Sequence, residues 1–369
     1  MFSPSPDIPK DIEIIYLPYW RFKGVRYTCY PTGVEIRFLD ISALALEGYP
    51  GQIPFSLGFR SQALPLKLIS SKTQGQFVRP LEFKTTILES DRRAMSDKKK
   101  QDPVFKEDIG EMVSLIYSPF YIIKNRIIDG ILNKPIQGVV PEELDSSTLD
   151  ICRPEKETLF VSGLCPDCGW DLEGNFDSLV LICRNCQTLW QSRGNRLGKI
   201  KYACAEPGHS GDVMIPFWKI KAEITPFAME SYADLVRMGN LPKSIQPEWE
   251  DQELYFWTPA FKIRPKVFLR LNTQLAIAQP VPALAKKIRK NIHLPITLPS
   301  SEAVQSIKIT LASLVRPLKN HLPGLLRTRI TPKEITLVFL PFEPGTHEYF
   351  HQGLNVSINK NILALSNNL

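Results

Sequence analysis

Short runs of alternating apolar residues that follow a proline recur along the chain. Each copy of the whole pattern consists of two residues, mostly apolar, then a proline, then the run of aromatic residues that alternate with other side chains. The copies are centred on Pro18, Pro119, Pro216, Pro259 and Pro341. Alternation of this kind is typical of a half-buried strand. Because proline cannot donate a ladder hydrogen bond, we expect each copy at a sheet edge or at a bulge.

We interpret these copies as equivalent bent strands in one or two related β-rich domains. Their aromatic side chains are expected to fill core space. An aromatic-lined groove for a peptide or another ligand is the alternative. The intervals between the prolines are irregular, so a solenoid is not expected.

Helical spacing of apolar residues predicts a few short helices. The predicted ranges are 227–238, 282–293 and 301–315. Thr331-Pro332-Lys333-Glu334 fits a capping box with proline at the first helical position. Strands at 336–342 and 354–362 are expected to form a terminal hairpin.

Four cysteines form two closely spaced pairs, Cys165-Pro-Asp-Cys168 and Cys183-Arg-Asn-Cys186. Two residues between the cysteines of a pair let one tight turn present both sulfurs to a single ion. Gly169 suits the positive φ that such a knuckle commonly needs. Strands are expected at 178–182 and 188–191. Four thiolates close a tetrahedron at about 2.3 Å from the ion, which leaves no open position and makes the site structural.

The region from Leu159 to Gln191 resembles the zinc-ribbon module, with rubredoxin-type C-P-x-C-G and C-x-x-C knuckles. Together with the proline–aromatic strands, it is similar to bacterial zinc-ribbon proteins of unknown function, a resemblance that implies no activity. Structural zinc is the expected cofactor. An iron–thiolate electron carrier is the alternative, since four thiolates also suit iron.

The remaining cysteines, Cys29, Cys152 and Cys204, are expected to be small buried hydrophobes. Cys204 and His209 have the spacing of a partial metal site, but no second ligand pair lies nearby in the sequence. Seven cysteines without a small-scaffold spacing argue against a disulfide framework, so we expect a reducing cytoplasm. Neither a secretory signal nor a transmembrane segment is expected, because the sequence lacks the required apolar runs.

The length of 369 residues suits two or three domains. The content of 31 prolines disfavours an all-helical bundle. We predict an α+β fold, predominantly β, in which a zinc ribbon is inserted among bent antiparallel strands. The predicted divisions are a β-rich domain at 1–88, a charged linker or helix at 89–108, a continuation of the β-rich region at 109–158, the ribbon at 159–192, and a second β-rich domain at 193–369 with a basic helical segment at 280–330.

Positive charge is concentrated in the last third of the chain. Residues 262–329 contain thirteen Lys or Arg and one acid, Glu302, although the whole chain has a net charge of only +7. The candidate residues for binding an anionic partner are Lys286, Lys287, Arg289 and Lys290. A solvated basic face is the alternative, and peripheral membrane contact is disfavoured because the segment has no Trp or Phe anchor.

The segment His347-Glu348-Tyr349-Phe350-His351 matches the H-E-x-x-H signature of zinc proteases. Gly345 and Gly353 bracket it closely, and no Asp, Glu or His follows His351 as a third ligand. We therefore expect a hairpin loop with surface histidines and assign no catalytic residue.

The function predicted is non-enzymatic binding or scaffolding of a protein partner through the ribbon and the basic third of the chain. Nucleic-acid binding is the first alternative, and a metalloprotease or an electron carrier are further ones.

Overall fold

The computed structural model describes residues 1–9, 11–46, 53–70, 73–83, 103–124, 126–136, 150–152, 160–194, 196–209, 211–285 and 294–366. The chain divides into two compact units. The first comprises Met1–Gly24, Phe38–Lys100 and Gly110–Thr158, and the second comprises Val25–Arg37, Gln101–Ile109 and Leu159–Leu369. Strands predominate over helices, which confirms the predicted α+β, mainly β class. The domain boundaries drawn from the sequence stay predictions.

Seven strands of the described chain form the first sheet, in the order β6-β5-β4-β1-β3-β7, with β2 paired to β1. Their bounds are β1 Ile15–Tyr30, β2 Gly33–Leu44, β3 Gln76–Val78, β4 Phe105–Ile123, β5 Arg126–Asp129, β6 Lys134–Pro135 and β7 Ile151–Cys152. A short helix, α1, spans Arg60–Ala63. Large buried side chains such as Tyr19 and Phe120 fill the core of the first unit.

The ribbon sheet has the order β11-β10-β9-β8. Its strands are β8 Leu172–Glu173, β9 Val180–Cys183, β10 Thr188–Arg193 and β11 Arg196–Ile200. The two strands expected around the second cysteine pair are therefore confirmed as β9 and β10.

Another seven-stranded sheet belongs to the described part of the second unit, in the order β14-β13-β16-β12-β15, and β17 pairs with both β16 and β18. The bounds are β12 Tyr202–Ala205, β13 Val213–Thr225, β14 Phe256–Pro259, β15 Leu284–Ala285, β16 Arg329–Pro344, β17 Glu348–His351 and β18 Val356–Asn359. The helices are α2 Tyr232–Gly239, α3 Pro265–Ala278, α4 Ser300–Leu314, α5 Leu318–Arg327 and α6 Lys360–Ser366. None of the helices in the described ranges has the length and apolar character needed to cross a bilayer.

Local capping explains where α2 begins and ends. The Ser231 side chain accepts the Asp234 backbone N–H, and the Asp234 carboxylate accepts the Ser231 backbone N–H, which is a capping box. Asn240 closes the helix in the left-handed conformation, with φ of 45°. The helix predicted at 227–238 is therefore present but starts later, at Tyr232. The helix predicted at 301–315 is confirmed as α4.

The capping-box prediction at Thr331 to Glu334 is wrong, because these residues lie inside β16. The long strand β13 offers a partner for the whole segment, and strand pairing overrides the local helix signal. The register places Lys221 opposite Glu334 and Ala222 opposite Pro332, so the pairing is irregular at this proline. A bulge is where a strand tolerates proline.

Two other predicted elements also differ from the structure. The strand predicted at 354–362 is present only as β18 and gives way to α6, where the Asn359 side chain accepts the Asn361 backbone N–H at 2.9 Å. The helix predicted at 282–293 contains the short strand β15, and residues 286–293 lie outside the described residues. Residues 89–102 of the predicted charged linker also lie outside them, and residues 105–108 belong to β4.

The prediction that every recurring proline lies at a sheet edge or at a bulge is wrong. Pro259 ends the edge strand β14, but Pro216 and Pro341 lie in the interior strands β13 and β16. The interior strands tolerate these two prolines because the hydrogen-bonded pairing with one neighbouring strand ends at each of them. β14 pairs with β13 only from Phe217 onward, and Pro341 lies between the parts of β16 that pair with β12 and with β17.

The two seven-stranded sheets share one arrangement. The path β5-β4-β1-β3-β7 corresponds to β14-β13-β16-β12-β15, with the third and fourth strands parallel in both sheets. Residue registers agree as well. Tyr16 opposes Phe77 and Phe339 opposes Cys204, each two residues before a proline.

The strand order along the chain differs between these two sheets. Among the five strands that correspond, β1 comes first along the chain in the first sheet, whereas its counterpart β16 comes last in the second. The remaining strands follow in the same order. The chain order of these five strands in the second sheet is therefore a circular permutation of their order in the first.

Candidate metal centre

The first cysteine pair lies in a tight knuckle that its own backbone closes. The Cys165 N–H donates to the Trp170 carbonyl at 2.7 Å, and the Gly169 N–H donates to the Cys165 carbonyl at 2.8 Å. Gly169 has φ of 72°, in the left-handed region that glycine adopts without strain. The predicted role of Gly169 is therefore confirmed.

The second pair lies in the turn that joins β9 to β10. Cys183 is the last residue of β9 and pairs across the ladder with Thr188. Gln187 takes the left-handed position here, with φ of 59°, and its side-chain amide donates to the Arg184 carbonyl at 3.3 Å. This turn contains no glycine that would mark it in the sequence.

The four sulfur atoms converge. The Sγ atoms of Cys165, Cys168, Cys183 and Cys186 all lie within 4.8 Å of one another. Two of the separations are 3.4 Å between Cys168 and Cys183 and 3.5 Å between Cys165 and Cys186. Sulfurs held about 2.3 Å from one ion in a tetrahedron would lie about 3.8 Å apart. The cluster is therefore compatible with a four-thiolate metal site of the zinc-ribbon kind.

Burial of the cluster is uneven. Cys165 and Cys183 are buried, Cys186 is half-buried, and Cys168 is exposed. Together with Trp190, Cys165 and Cys183 form a small core of their own, against which Leu172 and Leu197 pack. The ribbon core is therefore built around the sulfur cluster.

A buried hydroxyl lies beside two of the sulfurs. The Thr188 Oγ1 atom is 3.5 Å from Cys165 Sγ and 3.0 Å from Cys186 Sγ, and it accepts the Trp190 Nε1–H at 2.9 Å. Burial raises the pKa of the Cys165 thiol, but hydrogen bonds from Thr188 and from backbone amides outweigh it and lower this pKa to about 6. Backbone hydrogen bonding also lowers the pKa of Cys168.

These thiols do not all ionise together without a cation. The hydroxyl of Thr188 lowers the pKa of Cys186, but burial and the neighbouring cysteines outweigh it and raise this pKa to about 12. A divalent cation removes that conflict because it stabilises all four thiolates at once.

Lys199 brings a positive charge to the same region. Its Nζ lies 2.6 Å from the Asp167 carboxylate and 5.8 Å from the centre of the Trp190 ring. The hydrogen bond with Asp167, with smaller contributions from Cys186 and Cys165, raises the pKa of Lys199. The ammonium group therefore offsets part of the negative charge of the thiolates.

The other predicted candidates do not join this cluster. Cys29 and Cys204 are buried among apolar side chains, as expected, while Cys152 is half-buried. Within the described residues, the four cysteines are the only group of three or more His, Cys, Asp or Glu side chains close enough together to hold one metal ion, so no second site forms around His209. The candidate anion-binding residues, Lys286, Lys287, Arg289 and Lys290, lie outside the described residues.

The H-E-x-x-H segment lacks the helix that the protease signature needs. Glu348–His351 is strand β17, paired with β16 and β18. The imidazole of His351 packs edge-on against Phe342 at 5.4 Å between ring centres, and burial lowers its pKa. The segment therefore does not have the helical form of the zinc-protease signature. It forms a strand and not the expected hairpin loop, and of the two histidines expected at the surface His347 is exposed but His351 is half-buried.

Sequence reasoning missed the exposed apolar residues of the ribbon and the role of Thr188. The exposed large apolar residues there are Phe160, Leu164, Trp170, Phe176 and Leu179. Alternation identifies β9 and β10, but residues in turns have no periodicity that reports exposure. Comparison of the chain with models of protein families, with curated proteins and with solved structures gave no match.

Proposed function

We propose that the four cysteines bind one structural zinc ion and that the ribbon so stabilised docks onto a protein partner. The zinc assignment rests on the ligand type, the spacing and the convergence of the sulfurs. A closed four-thiolate shell has no position for substrate. The zinc ion is therefore structural in this proposal, and the ribbon acts as a binding module.

The observation that carries the docking role is the set of large apolar side chains that the ribbon leaves exposed. Phe176 is fully exposed, Phe160 is 93% exposed and Trp170 is 58% exposed. Aromatic anchors are enriched at the centres of protein interfaces, where they bury large areas at low entropic cost. Large aromatic side chains left exposed in one small module therefore offer anchors for a protein partner.

The charge of the ribbon favours a protein over a nucleic acid. Residues 160–200 contain four acids and four basic residues. Asp167 pairs with Lys199 and Glu173 pairs with Arg184, so these bases are already neutralised. Phosphate backbones are bound by an excess of Lys and Arg, which the ribbon does not have.

The basic third of the chain supports a second, electrostatic contribution. Residues 262–329, with thirteen basic residues and one acid, add attraction for an acidic partner. Nucleic-acid binding remains the second candidate for this region alone. A reducing cytoplasm fits the whole proposal, because the thiolates must stay reduced to hold the metal.

Metal content tests the first half of the proposal. Elemental analysis of the purified full chain should give about one zinc per chain, and Cys168→Ser should lose it while Cys152→Ser keeps it. An iron–thiolate absorption band in the visible range would instead support the electron carrier. Absence of both metals in the wild type would overturn the assignment.

The docking role needs a variant that keeps the metal. Trp170→Ser combined with Phe176→Ser alters only exposed side chains of the ribbon. A partner that co-purifies with the wild type should be lost from this double variant and retained by Phe38→Ser, which removes a 62% exposed aromatic residue from β2. Equal recovery with both variants would contradict docking through the ribbon.

A further inference from the structure

A groove of about 800 Å³ lies between strand β2 and helix α3 in the second unit. One wall is the consecutive stretch Gly33, Val34, Glu35 and Ile36. The other is the face of α3 that carries Lys266, Leu269, Arg270, Thr273 and Gln274. The proposed docking of the ribbon does not involve this groove.

The strand wall presents its edge to the groove. Successive side chains of a strand point to opposite faces, so a space that touches four consecutive residues lies along the edge of that strand. Within the described residues, β2 pairs with β1 alone. The side chains of Val34 and Ile36 pack against the core of the second unit, which fixes this edge in place. A strand edge held in this way, to which no further strand of the described residues is paired, is a template for another strand.

The helix wall carries positive charge and an unsatisfied acceptor. Lys266 and Arg270 are exposed, one helical turn apart. Arg270 also donates to the Ser357 carbonyl at 3.0 Å, which holds its side chain in one orientation. The Gln274 Oε1 atom is buried and has no hydrogen-bond partner. Such an acceptor is costly unless a ligand or water donates to it.

We propose that this groove binds an extended acidic peptide, which pairs with β2 as an added strand and places a carboxylate beside Lys266 and Arg270. Backbone pairing with an exposed strand edge is a recurrent mode of peptide recognition. Four strand residues and the nine helix residues from Lys266 to Gln274 each span roughly 10–12 Å. The groove therefore accommodates three or four residues of peptide.

An extended peptide fits this groove better than a second copy of the chain. In a second copy, the β2 edge lies beside that copy's own α3. Pairing of two β2 strands would therefore bring both α3 helices into the space beside the paired strands. A free peptide brings no such wall. Two cationic side chains on the helix favour an acidic sequence over a neutral one.

The test uses a fluorescent capped heptapeptide in which glutamate alternates with valine, titrated into the full chain by fluorescence anisotropy up to about 1 mM. Binding should be saturable and should protect the amide hydrogens of Val34 to Ile36 from exchange. A lysine–valine peptide should not bind. A glutamate–valine peptide that is N-methylated at alternate residues should not bind either, because it cannot complete the ladder.

Variants locate the site. Thr273→Arg fills the groove and should weaken binding at least about tenfold, and Lys266→Glu should weaken it roughly threefold to fivefold, as expected for an exposed ion pair. Lys319→Glu, on the surface of α5, is the matched control and should leave binding unchanged. Failure of the first peptide to bind, or equal binding of its N-methylated form, would overturn the proposal. A concentration-dependent dimer that protects the same amides without peptide would assign the edge to a second copy instead.

Discussion

The hydroxyl of Thr188 lies 3.0 Å from the Sγ atom of Cys186. Because the same oxygen accepts the indole N–H of Trp190, its own hydrogen is available to a sulfur. Thr188, buried in the ribbon, therefore acts on the cluster as a hydrogen-bond donor. Groups that hydrogen-bond to metal ligands commonly tune metal affinity.

Replacing Thr188 with valine should weaken metal binding about tenfold, because the thiolate loses a hydrogen bond while the side-chain shape is kept. Competition against a chromophoric zinc chelator measures this change. Thr188→Ser keeps the hydroxyl and should restore most of the affinity. An unchanged affinity in the valine variant would show that the hydroxyl only supports Trp190.

The ion pair of Arg21 and Asp40 should make the stability of the first unit depend on pH. Nε and Nη2 of Arg21 donate to the two carboxylate oxygens of Asp40 at 2.8 and 2.7 Å. This hydrogen bonding holds the pKa of Asp40 below its ordinary value. Such a carboxyl stabilises the folded state above its unfolded pKa, and the contribution disappears as pH falls through the folded pKa.

Asp40→Asn should therefore lower the melting temperature most near neutral pH, and the difference from the wild type should shrink below about pH 4. Thermal unfolding across a pH series measures it. Asp251→Asn, at an exposed position, serves as the control. A difference in melting temperature between the wild type and the variant that stays constant with pH would rule out the ionised pair as its source.

Asp129 is a buried acid with three partners. Its Oδ2 accepts from Arg60 at 2.5 Å, and its Oδ1 accepts the backbone N–H groups of Ile131 and Leu132. Asp129→Ala should destabilise the first unit by about 3 kcal/mol, because it leaves the Arg60 charge and two amides without their acceptor. Urea unfolding measures the loss. Asp150→Ala, which breaks the exposed pair with Arg79, should have little effect.

Gly130 lies against the backbone of a proline in the recurring pattern. Its N–H donates to the Pro119 carbonyl at 2.9 Å, and a Cβ added at Gly130 would lie 2.8 Å from that oxygen. Gly130→Ala should cost about 1–3 kcal/mol in unfolding free energy, since backbone atoms must shift. Gly211→Ala is the control, because a Cβ at Gly211 meets no atom within 4 Å. Equal stability of the two variants would contradict the close approach.

Local chemistry explains which features the sequence predicted. The cysteine cluster follows from spacing within 22 residues, and the knuckle glycine follows from a turn that the cysteines themselves define. Thr331 to Glu334 has the letters of a helix start, yet pairing with β13 decides its structure. The tolerance of Pro216 and Pro341 depends on where neighbouring strands stop, which no local pattern reports.

The groove between β2 and α3 could not be predicted from the sequence, because it too depends on contacts between distant residues. Ile36 and Lys266 are far apart in the chain, and only the folded second unit brings their elements together. The edge of a strand also has no characteristic amino-acid composition. Exposure of Trp170 and Phe176 is likewise a property of turns, whose residues carry no periodic signal.

The permuted strand order affects how each sheet forms while the chain is being synthesised. Every strand of the first sheet has been translated once Cys152 is reached, so that sheet has all its members early. The second sheet lacks its interior member β16 until Pro344 is made, and until then the apolar strand β13 has no antiparallel partner on that side. The nascent chain therefore has an incomplete sheet with exposed apolar surface while more than a hundred further residues are translated. This is the stage at which a chaperone would bind the chain.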